Sequence, residues 1–199
     1  MTLTPFFLVN FFTKLLCELK TGDNVNILGP LGRGFKIDKK TKKHILIAGG
    51  HGVAPILLLA YNLKKLKKEI IVLIGAKNKD LILCKNEFKE LGAVVKISTE
   101  DGSSEHKGFV TDLLKKKGSE SFFSTSSVYV CGPMPMLKEV SGIVRKHKIS
   151  AQLSLEGIMG CGIGVCLSCV CKSRKTEGSD FYKLTCSDGP VFSSEDIVL

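Results

Sequence analysis

The sequence has no apolar run near the roughly twenty residues that a membrane-spanning helix needs. The apolar segment PFFLVNFF at residues 5–12 is far shorter. It also lacks the basic region and the small-residue cleavage site of a signal peptide. We therefore expect a cytoplasmic protein with no membrane partner, whose thiols stay reduced.

Acidic residues are fewer than basic ones, 19 against 29, which gives a formal net charge of +10. The lysines occur in runs such as residues 39–43 and 64–68, without interleaved aromatic residues. Single-stranded nucleic-acid platforms use such aromatics for base stacking, so we expect no nucleic-acid partner. The preferred explanation for the positive charge is a lysine-rich genome, and the second is a basic face that docks a partner.

No serine–histidine–aspartate set and no paired carboxylates stand out, so we assign no catalytic side chain. His44, His106 and His147 are expected at isolated solvent or capping positions. His51 falls in a glycine-rich turn and is interpreted as a surface residue.

Cysteine, by contrast, is abundant, with eight residues. Four of them follow the pattern C-x4-C-x2-C…C: Cys161, Cys166, Cys169 and Cys186. Plant-type ferredoxins use this spacing to hold a [2Fe–2S] cluster, two thiolates on each iron. Gly162 and Gly164 suit the tight loop, because glycine accepts positive φ and lets N–H groups approach the inorganic sulfides. Such a cluster carries one electron at a time, so the motif predicts electron transfer.

Alternative roles for these cysteines remain open. Zinc knuckles usually use paired C-x2-C units, a spacing that this segment does not repeat. Cys171 competes with Cys169 as a ligand; the x2 spacing favours Cys169, and strand alternation places both on one face. Cys17, Cys84 and Cys131 lie apart and are expected to be reduced.

Between about residues 39 and 155, short apolar runs alternate with helical patterns. Strands are predicted at residues 44–48, 70–74, 94–97, 127–131 and 150–155. Helices are predicted at residues 53–68, 87–91, 109–117 and 135–148. This alternation predicts an α/β fold with a doubly wound, parallel five-stranded sheet. Outside it we expect a strand at 25–28, a polar hairpin at 172–180, and strands at 181–185 and 191–192 that pack the cluster segment.

Ligands of such sheets bind beyond the carboxyl ends of the strands. Gly49, Gly50 and Gly52 follow the first strand, and Val53 and Ala54 open the helix after it. Glycines there let a pyrophosphate approach the backbone at the helix N-terminus. The motif is G-G-x-G rather than G-x-G-x-x-G, which alone is a weak signal of a dinucleotide site. The prediction therefore depends mainly on its position between a strand and a helix.

Two further turns lie at the same expected edge. Gly75 follows the second strand and is placed to meet the adenosine ribose. Cys131, Gly132 and Met134 follow the fourth strand, where a cysteine would lie against a nicotinamide ring; a small core residue is the alternative for Cys131. The acidic turn at residues 99–103 disfavours a 2′-phosphate, which favours NADH over NADPH.

Five segments taken together carry a family resemblance: GPLGRGF, AGGHGVAPIL, TEDGS, VYVCGPMPML and CGIGVCLSCV…TCSDGPVF. They resemble the electron transfer subunit of heteromeric, NAD-linked dihydroorotate dehydrogenase, in the ferredoxin–NADP reductase superfamily. The resemblance covers residues 13–199. It implies that NADH and FAD exchange a hydride here. It also implies that the cluster passes electrons between FAD and the FMN of a separate catalytic subunit. By the same resemblance, that subunit converts dihydroorotate to orotate in pyrimidine biosynthesis, and the two subunit types form a heterotetramer.

The resemblance also implies residue roles. The four motif cysteines carry over as cluster ligands, and the glycine turn with Cys131, Gly132 and Met134 as the NAD(H) side. Thr13 falls where the family has a Gly-Thr that touches FAD, with Phe12 replacing the glycine. By position, Glu156 is expected to border the flavin ring.

The N-terminal part departs from the family pattern. The family begins with an FAD-binding β-barrel of about a hundred residues, and its R-P-x-S-type motif is absent here. We therefore expect a truncated or wrongly started chain. Its expected parts are a barrel remnant (1–38), an NAD(H)-binding reductase domain (39–155) and a cluster module (156–199).

Two other functions remain alternatives. One is the small subunit of a sulfide dehydrogenase or of an NADH-dependent ferredoxin:NADP oxidoreductase, although the first ligand position there is not a cysteine, so Cys161 argues against it. The other is a non-catalytic, metal-stabilised binding module.

Overall fold

The structure is a computed structural model that describes residues 11–116, 123, 125–174 and 181–199, without the side chains of residues 11–13 and 116. The chain divides into two compact units, one ending at Pro30 and the other comprising Leu31–Leu199. The division into three parts stays a prediction. No helix among the described residues is long and apolar enough to cross a membrane.

Five helices are described: α1 (Phe11–Glu18), α2 (Val53–Lys65), α3 (Lys85–Glu90), α4 (Val110–Lys116) and α5 (Met134–Lys146). Nine strands are described: β1 (Lys43–Gly49), β2 (Glu69–Ala76), β3 (Val94–Thr99), β4 (His106–Lys107), β5 (Ser126–Cys131), β6 (Ala151–Ser154), β7 (Val170–Lys172), β8 (Tyr182–Leu184) and β9 (Val191–Ser193). Of the hairpin predicted at 172–180, residues 175–180 lie outside the described part.

The main sheet has seven strands in the order β4-β3-β2-β1-β5-β6-β9. Its centre consists of the five predicted strands, all parallel. This confirms the doubly wound α/β prediction, but the strand number was wrong. The short strand β4 adds a parallel edge, and β9 pairs antiparallel with β6, with Leu153 opposite Phe192. The sequence analysis expected β9 only to pack against the cluster segment. Its pairing with β6 instead connects that segment to the main sheet.

The first unit contains α1 but no strand within its described residues. The strand predicted at residues 25–28 is therefore wrong. A strand needs a partner for its backbone N–H and C=O groups, and none is described for these residues. Ile27 and Leu28 are exposed instead.

Alternating residues of β1 fill two cores, one on each face of the sheet. Ile45 and Ile47 pack on the face covered by α4 and α5, whereas Leu46 and Ala48 pack on the face covered by α2 and α3. All four are fully buried. Burying an aliphatic side chain of the size of Ile or Leu contributes about 1.5–3 kcal/mol, so this strand anchors both layers.

His44 is buried rather than at the expected solvent or capping position. Its ring stacks on Tyr129 with centroids 5.7 Å apart, and its Nε2 lies 3.1 Å from the carbonyl oxygen of Thr41. Its Nδ1 has no partner among the described residues. Burial lowers the pKa of His44, with a smaller contribution from Lys68. His44 is buried because β1 is a central strand that begins one residue earlier than predicted, at Lys43.

Residues 31–38 form hydrogen bonds both with the main sheet and with the C-terminal segment of the chain. The Arg33 N–H donates to the carbonyl of Gly189, and the Val191 N–H donates to the carbonyl of Arg33 at 3.3 Å. The Gln152 side-chain amide exchanges two hydrogen bonds with the Lys36 backbone, at 2.8 and 2.7 Å. These bonds hold the C-terminal segment against the β6 edge.

Candidate functional site

The first predicted nucleotide turn lies at the carboxyl end of β1. Gly49 ends the strand, a 3₁₀ turn spans Gly50–Gly52, and α2 begins at Val53. Gly50 has a φ of +53°, and a side chain at this position would meet nothing within 4 Å. Gly50 is thus the member of the motif that presents open backbone at the start of a helix, where partial positive charge favours an anion.

The other glycines of the two turns serve close packing. A Cβ atom on Gly52 would stand 2.5 Å from the carbonyl carbon of Cys131, and one on Gly132 would stand 3.0 Å from the Gly49 nitrogen. The side chain of Met136 fills the space beside Gly49 and Gly132. Met136 escaped the sequence analysis because its role depends on two turns that are distant in sequence.

Cys131 lies buried at the end of β5, with Ala48 and Ser154 opposite it on the neighbouring strands. Burial raises the pKa of its thiol, partly offset by a hydrogen bond with Ser154. Gly75 pairs with Gly49 across β1 and β2.

The remaining nucleotide-side candidates differ in exposure. A Cβ atom on Gly75 would stand 3.0 Å from the Cβ of Val110, so Gly75 lets α4 approach. Val53 is a buried core residue, whereas Ala54 and Met134 are exposed at the starts of α2 and α5.

The cysteine loop turns as its glycines predict, with φ of +73° at Gly162 and +87° at Gly164. The turn aims backbone N–H groups at Cys161 Sγ, which accepts from Val165 at 3.3 Å and Cys166 at 3.4 Å. Backbone hydrogen bonds, that from Cys166 first, lower the pKa of the Cys161 thiol. The loop is therefore built to stabilise a thiolate.

Cys166 lies beside Ser168, with Sγ and Oγ 3.2 Å apart. This hydrogen bond is the main reason why the pKa of Cys166 falls to about 6. Ser168 was missed by the sequence analysis, although a serine between two candidate ligands is a signal that would have found it.

Cys169 and Cys186 form the inner pair of thiols, and both are buried. The Cys186 N–H donates to Cys169 Sγ at 3.4 Å, and a hydrogen bond with the Cys169 side chain raises the pKa of Cys186. Cys161 and Cys166 form the outer, less buried pair, which is joined by the hydrogen bond from the Cys166 N–H to Cys161 Sγ.

This donor set fits a two-iron cluster. Its four thiols are grouped as two pairs, and a [2Fe–2S] cluster takes two thiolates on each iron. A single tetrahedral zinc needs its ligands around one point. Among the described residues, no three His, Cys, Asp or Glu side chains are placed to hold one ion.

Cys171 differs from the four paired cysteines. It lies half-buried on β7, opposite Lys183 of β8. Burial raises the pKa of its thiol, and the neighbouring Thr185 side chain partly offsets this. The structure thus gives Cys171 a partner outside the two thiol pairs.

A cavity of about 400 Å³ lies between the start of α5 and the segment that contains the cysteines. Its lining includes Met134, Glu156, Gly157, Cys169, Cys171 and Thr185. A larger open depression of about 1060 Å³ lies at the amino ends of the central strands and contains no predicted site residue. The smaller cavity lies at the carboxyl ends of β5 and β6, where ligands of such sheets bind. Thr13 lies in α1, and its side chain is outside the described part.

Two family models match the chain. The oxidoreductase NAD-binding domain matches residues 46–142. The iron–sulfur cluster binding domain of dihydroorotate dehydrogenase B matches residues 156–198.

Similar curated proteins are dihydroorotate dehydrogenase B (NAD(+)) electron transfer subunits. The one from Desulforamulus reducens is 41% identical over 186 residues, and the match covers 94% of this chain and 70% of that protein. The one from Fusobacterium nucleatum is 40% identical over 187 residues, covering 93% and 70%.

Solved structures agree on the fold. The NADH-dependent reduced ferredoxin-NADP oxidoreductase structure superposes with a TM-score of 0.75 at 30% identity, covering 94% of this chain and 64% of that one. The cytochrome b5 reductase domain of Ulva prolifera nitrate reductase superposes with a TM-score of 0.56 at 22% identity, covering 69% and 60%. The comparisons confirm the predicted oxidoreductase class and, at the level of the family, the cofactors [2Fe–2S], FAD and NAD(H).

Proposed function

Because the chain belongs to the family of dihydroorotate dehydrogenase B electron transfer subunits, we propose that it carries electrons between NAD(H), FAD, a [2Fe–2S] cluster and an FMN-containing catalytic subunit that converts dihydroorotate to orotate in pyrimidine biosynthesis. One observation carries the proposal. The backbone of Gly157, which leaves the sheet beside the nucleotide turns, lies against Cys169: a Cβ atom on Gly157 would stand 3.4 Å from the Cys169 Cβ.

On the nucleotide side, the open backbone of Gly50 and the start of α2 are proposed to bind the NAD(H) pyrophosphate. Cys131, Gly132 and Met134 are proposed to border the nicotinamide. Glu156 is proposed to border the flavin from the wall of the 400 Å³ cavity. Thr13 is proposed as an FAD contact on the family resemblance alone.

On the cluster side, Cys161 and Cys166 are proposed to bind one iron, and Cys169 and Cys186 the other. When bound, the cluster supplies one-electron chemistry. The inner pair packs against the segment that follows β6, which favours electron entry there from the flavin side. The outer pair lies at the surface, where a partner protein can approach it.

The surface around the outer pair is apolar. Ile158 is 89% exposed, Val165 75% and Leu167 60%. Groups of exposed apolar side chains are typical of protein interfaces, so this face is proposed to dock the FMN-containing catalytic subunit. The chain itself would hold no orotate site, and two copies of each subunit would form a cytoplasmic heterotetramer.

The test begins with protein purified without oxygen. Reduced protein should give a rhombic [2Fe–2S] EPR signal, and Cys166→Ser should abolish it while the matched control Cys17→Ser retains it. Co-expressed FMN-containing subunit should co-purify and reduce the cluster when dihydroorotate is added. Iron-free protein with one zinc per chain would overturn the cluster assignment.

A second candidate function is the small subunit of an NADH-dependent reduced ferredoxin-NADP oxidoreductase. The 30% identity and TM-score of 0.75 with that structure favour it. A protein that carries the cluster but neither binds the FMN-containing subunit nor accepts electrons from dihydroorotate would support this candidate. A protein without iron would support a non-catalytic binding module instead.

A further inference from the structure

The Ser168 hydroxyl contacts three groups in the cysteine loop. Its Oγ lies 3.2 Å from Cys166 Sγ, accepts from the Gly160 N–H at 3.1 Å and lies 3.1 Å from the carbonyl oxygen of Ile158. A hydroxyl has one proton to donate and two lone pairs with which to accept. The Gly160 N–H occupies one lone pair, so the single proton can go either to Ile158 or to Cys166.

The direction of that bond depends on the state of Cys166. A thiol can donate its own proton to Ser168, which leaves the hydroxyl free to donate to the Ile158 carbonyl. A cysteine that binds iron is a thiolate and only accepts. In that state the Cys166–Ser168 hydrogen bond requires Ser168 to turn its proton toward sulfur. Ile158 is almost fully exposed, so water can satisfy the carbonyl that loses its donor.

The neighbouring backbone is shaped for this contact. A Cβ atom on Gly160 would stand 3.2 Å from Cys166 Sγ and 3.4 Å from Ser168 Oγ. A side chain at position 160 would therefore press on both atoms of the bond. Leu167, between the two residues, has a φ of +59°, which is an uncommon conformation for leucine and turns the chain back on itself.

We infer that Ser168 is a positioning residue that raises the reduction potential of the cluster by donating a hydrogen bond to the Cys166 thiolate. The inference rests on the proposed function, because it requires Cys166 to bind iron. Reduction adds one negative charge to the iron–sulfur centre, part of which falls on the ligand sulfurs. A donor on sulfur stabilises the more negative state, and hydrogen bonds to sulfur are among the factors that set such potentials.

The experiment is an EPR-monitored redox titration of the cluster-loaded protein. Ser168→Ala should move the midpoint to a more negative value, by roughly a tenfold change in the reduction equilibrium, which is about 59 mV for one electron. Ser168→Thr keeps the hydroxyl and should stay near the unmodified protein. Ser187→Ala, which removes a hydroxyl adjacent to Cys186, is the control for a general effect of losing a serine beside a ligand.

The outcomes separate this inference from the proposed function. A midpoint of Ser168→Ala equal to that of the unmodified protein, or an equal shift in the Ser187→Ala control, overturns the role of Ser168 while the cluster stands. Absence of iron in the unmodified protein overturns the proposed function itself. Should Ser168→Ala fail to assemble the cluster, the pair Ser168→Thr and Ser168→Val, which have the same shape, provides the comparison; equal midpoints in that pair overturn the inference.

Discussion

Gly52 and Cys131 touch backbone to backbone, so closely that a Cβ atom at position 52 would stand 2.5 Å from the Cys131 carbonyl carbon. The contact joins the turn after β1 to the turn after β5, and these two turns contain most of the residues proposed to meet NAD(H). The atoms nearest to that Cβ position belong to the backbone of Cys131 and Gly132, so they cannot move aside as the end of a flexible side chain can. The proposed nucleotide site therefore depends on the absence of a Cβ atom at position 52.

Gly52→Ala should destabilise the fold by about 1–3 kcal/mol, as forced overpacking does in a well-packed interior. The same displacement should weaken NADH binding, because it moves both turns. Thermal unfolding and an NADH titration measure the two effects. Gly142→Ala is the matched control: it lies in α5 with nothing near its Cβ position, and alanine in a helix interior should stabilise by about 0.5–1 kcal/mol. An unchanged NADH affinity in Gly52→Ala would separate the turn contact from nucleotide binding.

Ile158→Glu should weaken association with the FMN-containing catalytic subunit by at least tenfold, because it places a charge in the apolar face around the outer thiol pair. Cluster content and EPR signal should stay unchanged, since the Ile158 side chain points largely into solvent. Val94→Glu is the control: Val94 is 53% exposed and begins β3, which lies next to the β4 edge of the sheet, with three strands between it and β6. Equal affinities for both variants, measured by calorimetry, would place the docking face elsewhere.

His44 should make stability pH-dependent. Burial lowers its pKa in the folded protein below the usual value near 6.5, so the unfolded chain takes up the proton first. Stability is then fully present above pH 6.5 and is lost as pH falls through that value toward the lower folded pKa. The nearby Lys68 deepens this effect, while the carbonyl of Thr41 and Asp38 oppose it.

Urea unfolding between pH 5 and 8 measures the dependence. His44→Phe keeps an aromatic ring beside Tyr129 and removes the titrating group, so its stability should fall less over this range. A variant with the same pH slope as the unmodified protein would show that another group is responsible.

Local patterns predict the central sheet and the cysteine loop well, because their signals are short-range. The apolar run at residues 44–48 became β1, and Gly162 and Gly164 adopt the positive φ that the ligand spacing requires. Features that depend on distant partners were missed. β9 joins β6 only because the chain returns to the sheet after the cysteine loop. Residues 25–28 have residue types that are common in strands, but no partner strand is described for them.

The same distinction applies to the site. Gly49, Gly52 and Gly132 were singled out for ligand approach, which stays a prediction, whereas the structure shows that they allow the close contact between the two turns. Burial of His44 could not be read from one residue, since it follows from the central position of β1 between β2 and β5. Sequence thus identifies chemical groups more reliably than it identifies their neighbours.

Cys171→Ser should retain the cluster, whereas Cys169→Ser should lose it. The two sulfurs differ in their surroundings: Cys169 Sγ accepts a hydrogen bond from the Cys186 N–H, while Cys171 lies opposite Lys183 in the β7–β8 pair. Cys171 lies two residues beyond Cys169 along the chain and pairs with Lys183 rather than with Cys186. Iron and sulfide analysis with EPR of the reduced protein should show near-full signal for Cys171→Ser and none for Cys169→Ser. The reverse result would make Cys171 the third ligand, with C-x4-C-x4-C as the working spacing.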